Sequence, residues 1–159
     1  MRKVFQCASP REKYHSDAAI VGCFDNRFEL AFRKFLQRIL VFNSDSIKIA
    51  GGAKCLASPE HKTDREFVLE QIRTSIRLHG TKRVILVLHS DCGAYGGLAG
   101  FGGNARAEAE HHHVELRRAA TNLAKAVPGI EVQAYFADFE GIWEAELALA
   151  ATAYNLTRR

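Results

Sequence analysis

Residues Arg83 to Leu88, RVILVL, constrain this chain more than any other stretch. After its first position the run is apolar throughout, with no polar side to give to water. That pattern predicts a strand buried on both faces at the centre of a parallel sheet. Ala18 to Cys23, AAIVGC, has the same character and predicts a second central strand. Ser46 to Ala50, stopped by Gly51 and Gly52, and Glu131 to Phe136 supply two more. Longer segments of helical period lie between them. Phe28, Phe32, Phe35 and Ile39 mark a helix over Phe28 to Leu40. Val68, Leu69, Ile72 and Ile76 stripe another; Thr63 and Glu66 have capping-box spacing at its start, and Gly80 stands at its end. A third runs from about Arg106 to Val127, with Leu116, Ala120, Leu123 and Val127 on one side, and stops at Pro128 and Gly129. Strands alternating with helices specify an α/β fold: a central, mostly parallel sheet of four to five strands flanked by helices. The Ala-rich tail from Gly141 to Asn155 reads as helix, with an edge strand as the alternative for its first half.

The chain has 159 residues, no internal repeat and no Pro- or Ser-rich linker, so residues 1–159 read as a single domain. Lys and Arg total 22 against 18 for Asp and Glu, a formal charge of +4 spread along helices without aromatic interleaving. No nucleic-acid partner is expected from that distribution. No apolar run approaches the ~20 residues that span a bilayer, and no membrane partner is expected. Met1 to Tyr14 lacks the continuous apolar core of a secretory signal, so the expected location is cytoplasmic. In that reducing setting Cys7, Cys23, Cys55 and Cys92 are more suited to metal or chemistry than to disulfides.

Ligands of parallel sheets sit beyond the carboxyl ends of the strands. Two strands end here in polar residues: Cys23-Phe24-Asp25-Asn26-Arg27, and His89-Ser90-Asp91-Cys92-Gly93. If the two strands are neighbours, Cys23, His89 and Cys92 converge. Two thiolates and an imidazole suit zinc, and three protein ligands leave the fourth tetrahedral position open, as in catalytic sites. Asp25 and Arg27 lie two residues apart and would point to one side of an extended chain. Arg27 can then hold the Asp25 carboxylate by charge-assisted hydrogen bonds and lower its pKa. Held so, Asp25 can accept from zinc-bound water; released, it could fill the fourth position itself.

The two motifs together resemble the paired signature of the β-class carbonic anhydrases. The resemblance covers about Ala18 to Ala94. It implies a Zn2+ ion on Cys23, His89 and Cys92, a regulatory dyad of Asp25 and Arg27, and a parallel sheet flanked by helices. It also implies reversible hydration of CO2 to bicarbonate by a zinc-bound hydroxide, in a homodimer or higher homo-oligomer. The chain departs from the family at Asn26, where Ser is usual. It departs again at Lys48-Ile49-Ala50-Gly51, where Arg-Asn-Ala-Gly is usual, and in a stretch from Gly93 to Gly103 that holds half of the chain's 12 glycines. These departures bear on the substrate pocket. Two alternatives therefore stand beside CO2 hydration: hydrolysis of carbonyl sulfide or carbon disulfide on the same zinc site, and a non-catalytic zinc-stabilised binding or assembly module closed by Asp25.

Phe24, Phe28, Phe32 and Leu98 are candidates for the pocket wall, and His15, His61 and His111 to His113 for the base that removes a proton. Consecutive helical residues point about 100° apart, so the three adjacent histidines cannot share one ion and read as a solvated or interface face. Cys7 and Cys55 lack paired spacing and read as buried or incidental thiols. The glycine-rich stretch lacks the ending of a phosphate-binding loop and reads as a lid or a segment packed on a partner subunit.

Overall fold

In the computed structural model, which describes residues 1–147, five strands form one sheet: β1 (Ala18–Gly22), β2 (Ser44–Lys48), β3 (Arg83–His89), β4 (Glu131–Ala137) and β5 (Ile142–Glu144). Their order is β2-β1-β3-β4-β5, with the first four parallel and β5 antiparallel to β4. RVILVL lies in the middle strand, and Val84 to Leu88 are all buried. Its side chains alternate between two cores. Val84, Leu86 and Leu88 join Ala19, Val21, Ala134 and Phe136 under α2 (Lys54–Ala57), α3 (Lys62–His79) and α4 (Ala105–Ala126), against Leu56, Ile72, Leu116 and Leu123. Ile85 and Val87 join Ala18, Ile20 and Tyr135 on the opposite face, under Phe32, Phe35 and Leu36 of α1 (Glu29–Arg38). The first core is the larger. Each fully buried Leu or Ile there is worth about 1.5–3 kcal/mol, so that face chiefly holds the sheet rigid.

The boundaries differ from the sequence pattern in instructive ways. β2 is an edge strand and begins at Ser44, two residues early, because polar Ser44 and Asp45 are tolerated where one edge faces water. α3 starts at Lys62, not at Thr63: His61 is its N-cap, and the His61 amide donates to Asp64 Oδ2 at 3.2 Å. The expected cap pair Thr63 and Glu66 lies inside the helix. Gly80 ends that helix in the left-handed conformation, as expected. A 3-10 turn over Asn26–Phe28 precedes α1. The helical reading of the tail fails over its first residues, and the edge-strand alternative holds: Trp143 pairs with Phe136. Asp138 builds that hairpin by accepting the amides of Glu140 and Gly141 at 2.8 and 2.7 Å and the Trp143 indole at 2.9 Å. The rest of the tail, 148–155, lies outside the described residues.

Candidate metal centre

β1 and β3 are hydrogen-bonded neighbours with Val21 opposite Leu86. Running both strands on brings Cys23, just past the end of β1, alongside the end of β3 at His89. A turn through Ser90 and Asp91, with Asp91 at φ 52°, then returns Cys92 to the same place. The ligand atoms of Cys23, His89 and Cys92 lie within 4.8 Å of one another. His89 and Cys92 are each 2% exposed, and Cys23 is half-buried.

The His89 ring is oriented before any ion arrives. Its Nδ1 meets the Ser90 carbonyl at 2.8 Å, which places the proton there, and Phe28 stacks on the ring at 4.8 Å. Nε2 is left buried with no hydrogen-bond partner among the described residues. An unsatisfied buried nitrogen costs about 1–3 kcal/mol unless something binds it. A carbonyl holding Nδ1–H while Nε2 faces two sulfurs is the outer-sphere arrangement that metal-binding histidines use. The sulfurs are prepared as well. The neighbouring Cys92 thiol, with the His89 ring and the amides of Asp25 and Gly51, outweighs burial and holds Cys23 below the ordinary thiol range. The same contact and burial push Cys92 up. Gly52 makes the crowding feasible. At φ 53°, a Cβ there would lie 2.6 Å from the Val87 carbonyl oxygen and 2.8 Å from the Cys23 nitrogen.

Asp25 and Arg27 do meet, but not through an extended chain. Asp25 caps the 3-10 turn, accepting the Arg27 amide on Oδ1 at 3.0 Å, and this turn folds the guanidinium back onto the carboxylate. Arg27 Nε then donates to both carboxylate oxygens at 3.1 and 3.0 Å, and Nη2 donates to Oδ2 at 2.6 Å. The guanidinium lowers Asp25 from the ordinary 3.8 to about 2. Arg27 is gripped in turn by Asp91, whose Oδ2 accepts Nη1 at 2.9 Å and whose carbonyl accepts Nη2 at 3.0 Å. Phe139 of the β4–β5 turn covers the guanidinium at 5.4 Å and stacks on Phe28 at 5.3 Å. Sequence reasoning passed over Asp91 and Phe139. Asp91 lies in the motif between His89 and Cys92, where residue type alone assigns it no role; nothing in the sequence ties Phe139 to this corner.

A cavity of about 200 Å³ opens beside Cys23, Asp25 and His89, with Ile20, Phe28, Phe32, Leu36 and Val87 as its apolar wall. Phe28 and Phe32 are thus where the sequence suggested. Phe24 is 65% exposed and Leu98 lies in the glycine-rich stretch; neither lines it. Lys48, the last residue of β2 and the first of the departing Lys48-Ile49-Ala50-Gly51 segment, stands at the cavity and pairs with Glu29. Ile49 turns instead toward a separate groove with Lys54 and Phe67. None of His15, His61, His111, His112 or His113 reaches this cavity. His112 is fully buried in α4 against Tyr95 and Phe136, so the solvated reading of that histidine is wrong: one side of α4 faces the sheet, and position 112 falls on it. The glycine-rich stretch is folded into two 3-10 turns, Gly93–Tyr95 and Leu98–Phe101. Cys55 is buried beside α3 and Cys7 is exposed; all four cysteines are free.

A family profile described as "Putative carbonic anhydrase" matches residues 14–147. No curated protein matches the chain in sequence. Among solved structures, a carbonic anhydrase from Streptococcus mutans is 17% identical, covers 89% of this chain and 88% of its own, and gives a TM-score of 0.59. β-Carbonic anhydrase isoform I from Trichomonas vaginalis is 13% identical over 91% and 90% of the two chains, with a TM-score of 0.58. The apo form of a carbon disulfide hydrolase is 11% identical over 92% and 87%, with a TM-score of 0.55. At these identities the likeness is one of fold.

Proposed function

The chain belongs to the carbonic anhydrase family, and from that premise we propose that it is a zinc enzyme that reversibly hydrates CO2 to bicarbonate. The observation that carries this reading is the unpartnered His89 Nε2 buried against two thiols at the mouth of a small apolar cavity. Cys23, His89 and Cys92 would hold Zn2+, with His89 using Nε2. Zinc, when bound, supplies Lewis acidity and a water whose pKa falls toward about 7.

The protein's own residues do the rest. Ile20, Phe28, Phe32 and Val87 give CO2, an apolar triatomic, a dry place beside the centre. Asp25 is fixed by three hydrogen bonds from the Arg27 side chain and one from its amide, so it stays ionised and presents an acceptor at the cavity. Its role is to orient the attacking water's proton. The same ties favour an open fourth position over a module closed permanently by Asp25, because both carboxylate oxygens are already engaged. The carbon disulfide hydrolase likeness keeps hydrolysis of carbonyl sulfide or carbon disulfide as the second reading, on the same residues. We place the active chain in the cytoplasm as a single domain over 1–159, working as a homodimer or larger homo-oligomer. Helix α1 supports the assembly: it contains no fully buried residue, and Leu30 is 62% exposed.

Metal analysis with stopped-flow CO2 hydration near pH 7 and above pH 8 tests the proposal. One zinc per chain and turnover at either pH are expected, with zinc lost in Cys92→Ala. Zinc without turnover on CO2, but with turnover on carbon disulfide, moves the assignment to the second reading. Zinc retained in a folded Cys92→Ala refutes the centre.

A further inference from the structure

Helix α4 buries a carboxylate directly behind the dyad. Glu108 is 1% exposed; its Oε1 accepts the Asp91 backbone amide at 2.7 Å, its one hydrogen bond among the described residues, and lies 3.8 Å from Nε2 of the buried His112 ring. Burying a carboxylate is expensive, so a single strong bond to a backbone amide needs a reason. The reason lies in what Asp91 does. The Ser90 amide still pairs with the Ala137 carbonyl, as the last rung beyond β3. At Asp91 the chain leaves the sheet in a left-handed conformation at φ 52°, which Asp tolerates better than most residues with a Cβ. Its amide then points inward, with no strand to receive it, and Glu108 receives it.

We infer that Glu108 is a positioning residue of the metal centre, fixing Asp91 so that Asp91 can grip Arg27 by both carboxylate and carbonyl. The inference rests on the preceding reading that Arg27 and Asp25 serve the metal site. The chain of contacts is continuous: Glu108 Oε1 to the Asp91 amide, Asp91 Oδ2 and carbonyl to Arg27, and Arg27 to Asp25. The glycine-rich stretch closes the other side of Asp91. The Leu98 amide donates to Asp91 Oδ1 at 3.0 Å, and Gly97 passes so close that a Cβ there would lie 2.9 Å from the same oxygen. Arg27 is 46% exposed and its anchor Asp91 is 42% exposed; water would loosen both without a buried support. Glu108 carries the rigidity of α4 out to the dyad.

Two variants separate this role from simple packing. Glu108→Leu keeps most of the volume and removes the acceptor; Glu108→Gln keeps an acceptor oxygen in the same place. Cobalt(II)-substituted protein reports the coordination by its visible spectrum, independently of turnover. Glu108→Leu should fold and bind one metal per chain, yet show a cobalt spectrum displaced in the same direction as that of Arg27→Ala. Its kcat for CO2 should fall about tenfold or more, as removal of outer-sphere partners does, with KM unchanged. Glu108→Gln should restore both spectrum and kcat. A wild-type spectrum in Glu108→Leu, or equal loss in the two variants, overturns the inference. If the wild-type protein hydrates no CO2, the functional reading fails by itself and the cobalt spectra still decide Glu108. Should Glu108→Leu fail to fold, hydrogen exchange in the wild-type holoprotein decides. The Asp91 amide should be protected about a hundredfold or more over a free peptide, and exchange at the rate of an open loop overturns the inference.

Discussion

At the scale of single residues, the four cysteines occupy three environments that chemistry can tell apart. Cys7 is exposed; Cys55 is buried, and burial pushes its thiol up to about 12. Cys23 and Cys92 share one centre. Alkylation of the metal-loaded protein near pH 8, read by mass spectrometry, should therefore mark Cys7 alone. After chelation Cys23 should react next, because it is half-buried whereas Cys92 is buried, while Cys55 should resist until the chain unfolds. Early labelling of Cys55 would contradict this placement. Asp25 gives a second residue-level prediction. Its folded value of about 2 lies below the ordinary 3.8, so the Arg27 pair contributes fully above about pH 4 and is lost as pH falls through 2. The stability gap between wild type and Arg27→Ala, followed by denaturant melts from pH 6 downward, should stay constant to about pH 4 and then narrow to the part held by the Asp91 carbonyl and Phe139, which do not titrate; a gap that does not narrow by about pH 2 would show that the pair is not its source. These residue types were legible in the sequence because strand ends in parallel sheets are where chemistry gathers. Asp91 was not, because its contribution depends on a left-handed turn that its neighbours impose.

At the scale of elements, the strands follow from composition alone where they are buried on both sides, as in β1 and β3. The edge strand β2 is shifted because half of its surroundings are solvent, and apolar content there no longer marks the boundaries. The link between β2 and α2 has the tighter constraint. Gly52 sits at φ 53° against the backbone of Val87, Gly22 and Cys23, so a methyl group cannot be accommodated by turning a side chain. Gly52→Ala should cost about 2 kcal/mol and weaken metal retention together, since relief requires moving Cys23. Thermal melts with metal analysis check this; normal stability and a full metal complement would show that the strand end can shift freely. Gly97 has a related purpose: at φ 63° it keeps a Cβ from displacing the Asp91 carboxylate that the Leu98 amide holds.

At the scale of the whole molecule, the two faces of the sheet are unequally covered. The face under α2, α3 and α4 holds the large core, whereas α1 buries none of its residues fully, and Leu30, Leu40 and Phe42 stay 62–71% exposed on and after it. Apolar surface of that kind marks an interaction face. In sedimentation velocity the chain should run as a dimer or larger at micromolar concentration, and Leu30→Glu combined with Phe42→Glu should shift it toward monomer. A monomeric wild type would remove the argument. No helix among the described residues is long and apolar enough to cross a membrane. The sequence by itself determined the sheet class, the central strands and the three residues at two strand ends, because burial on both faces and strand-end chemistry are local properties written in residue type. Only the tertiary structure decided which amide Glu108 holds, how Asp91 steadies Arg27, why His112 is buried and which phenylalanines line the cavity. Those depend on which helix packs behind which turn, a relation between distant segments that no local pattern encodes.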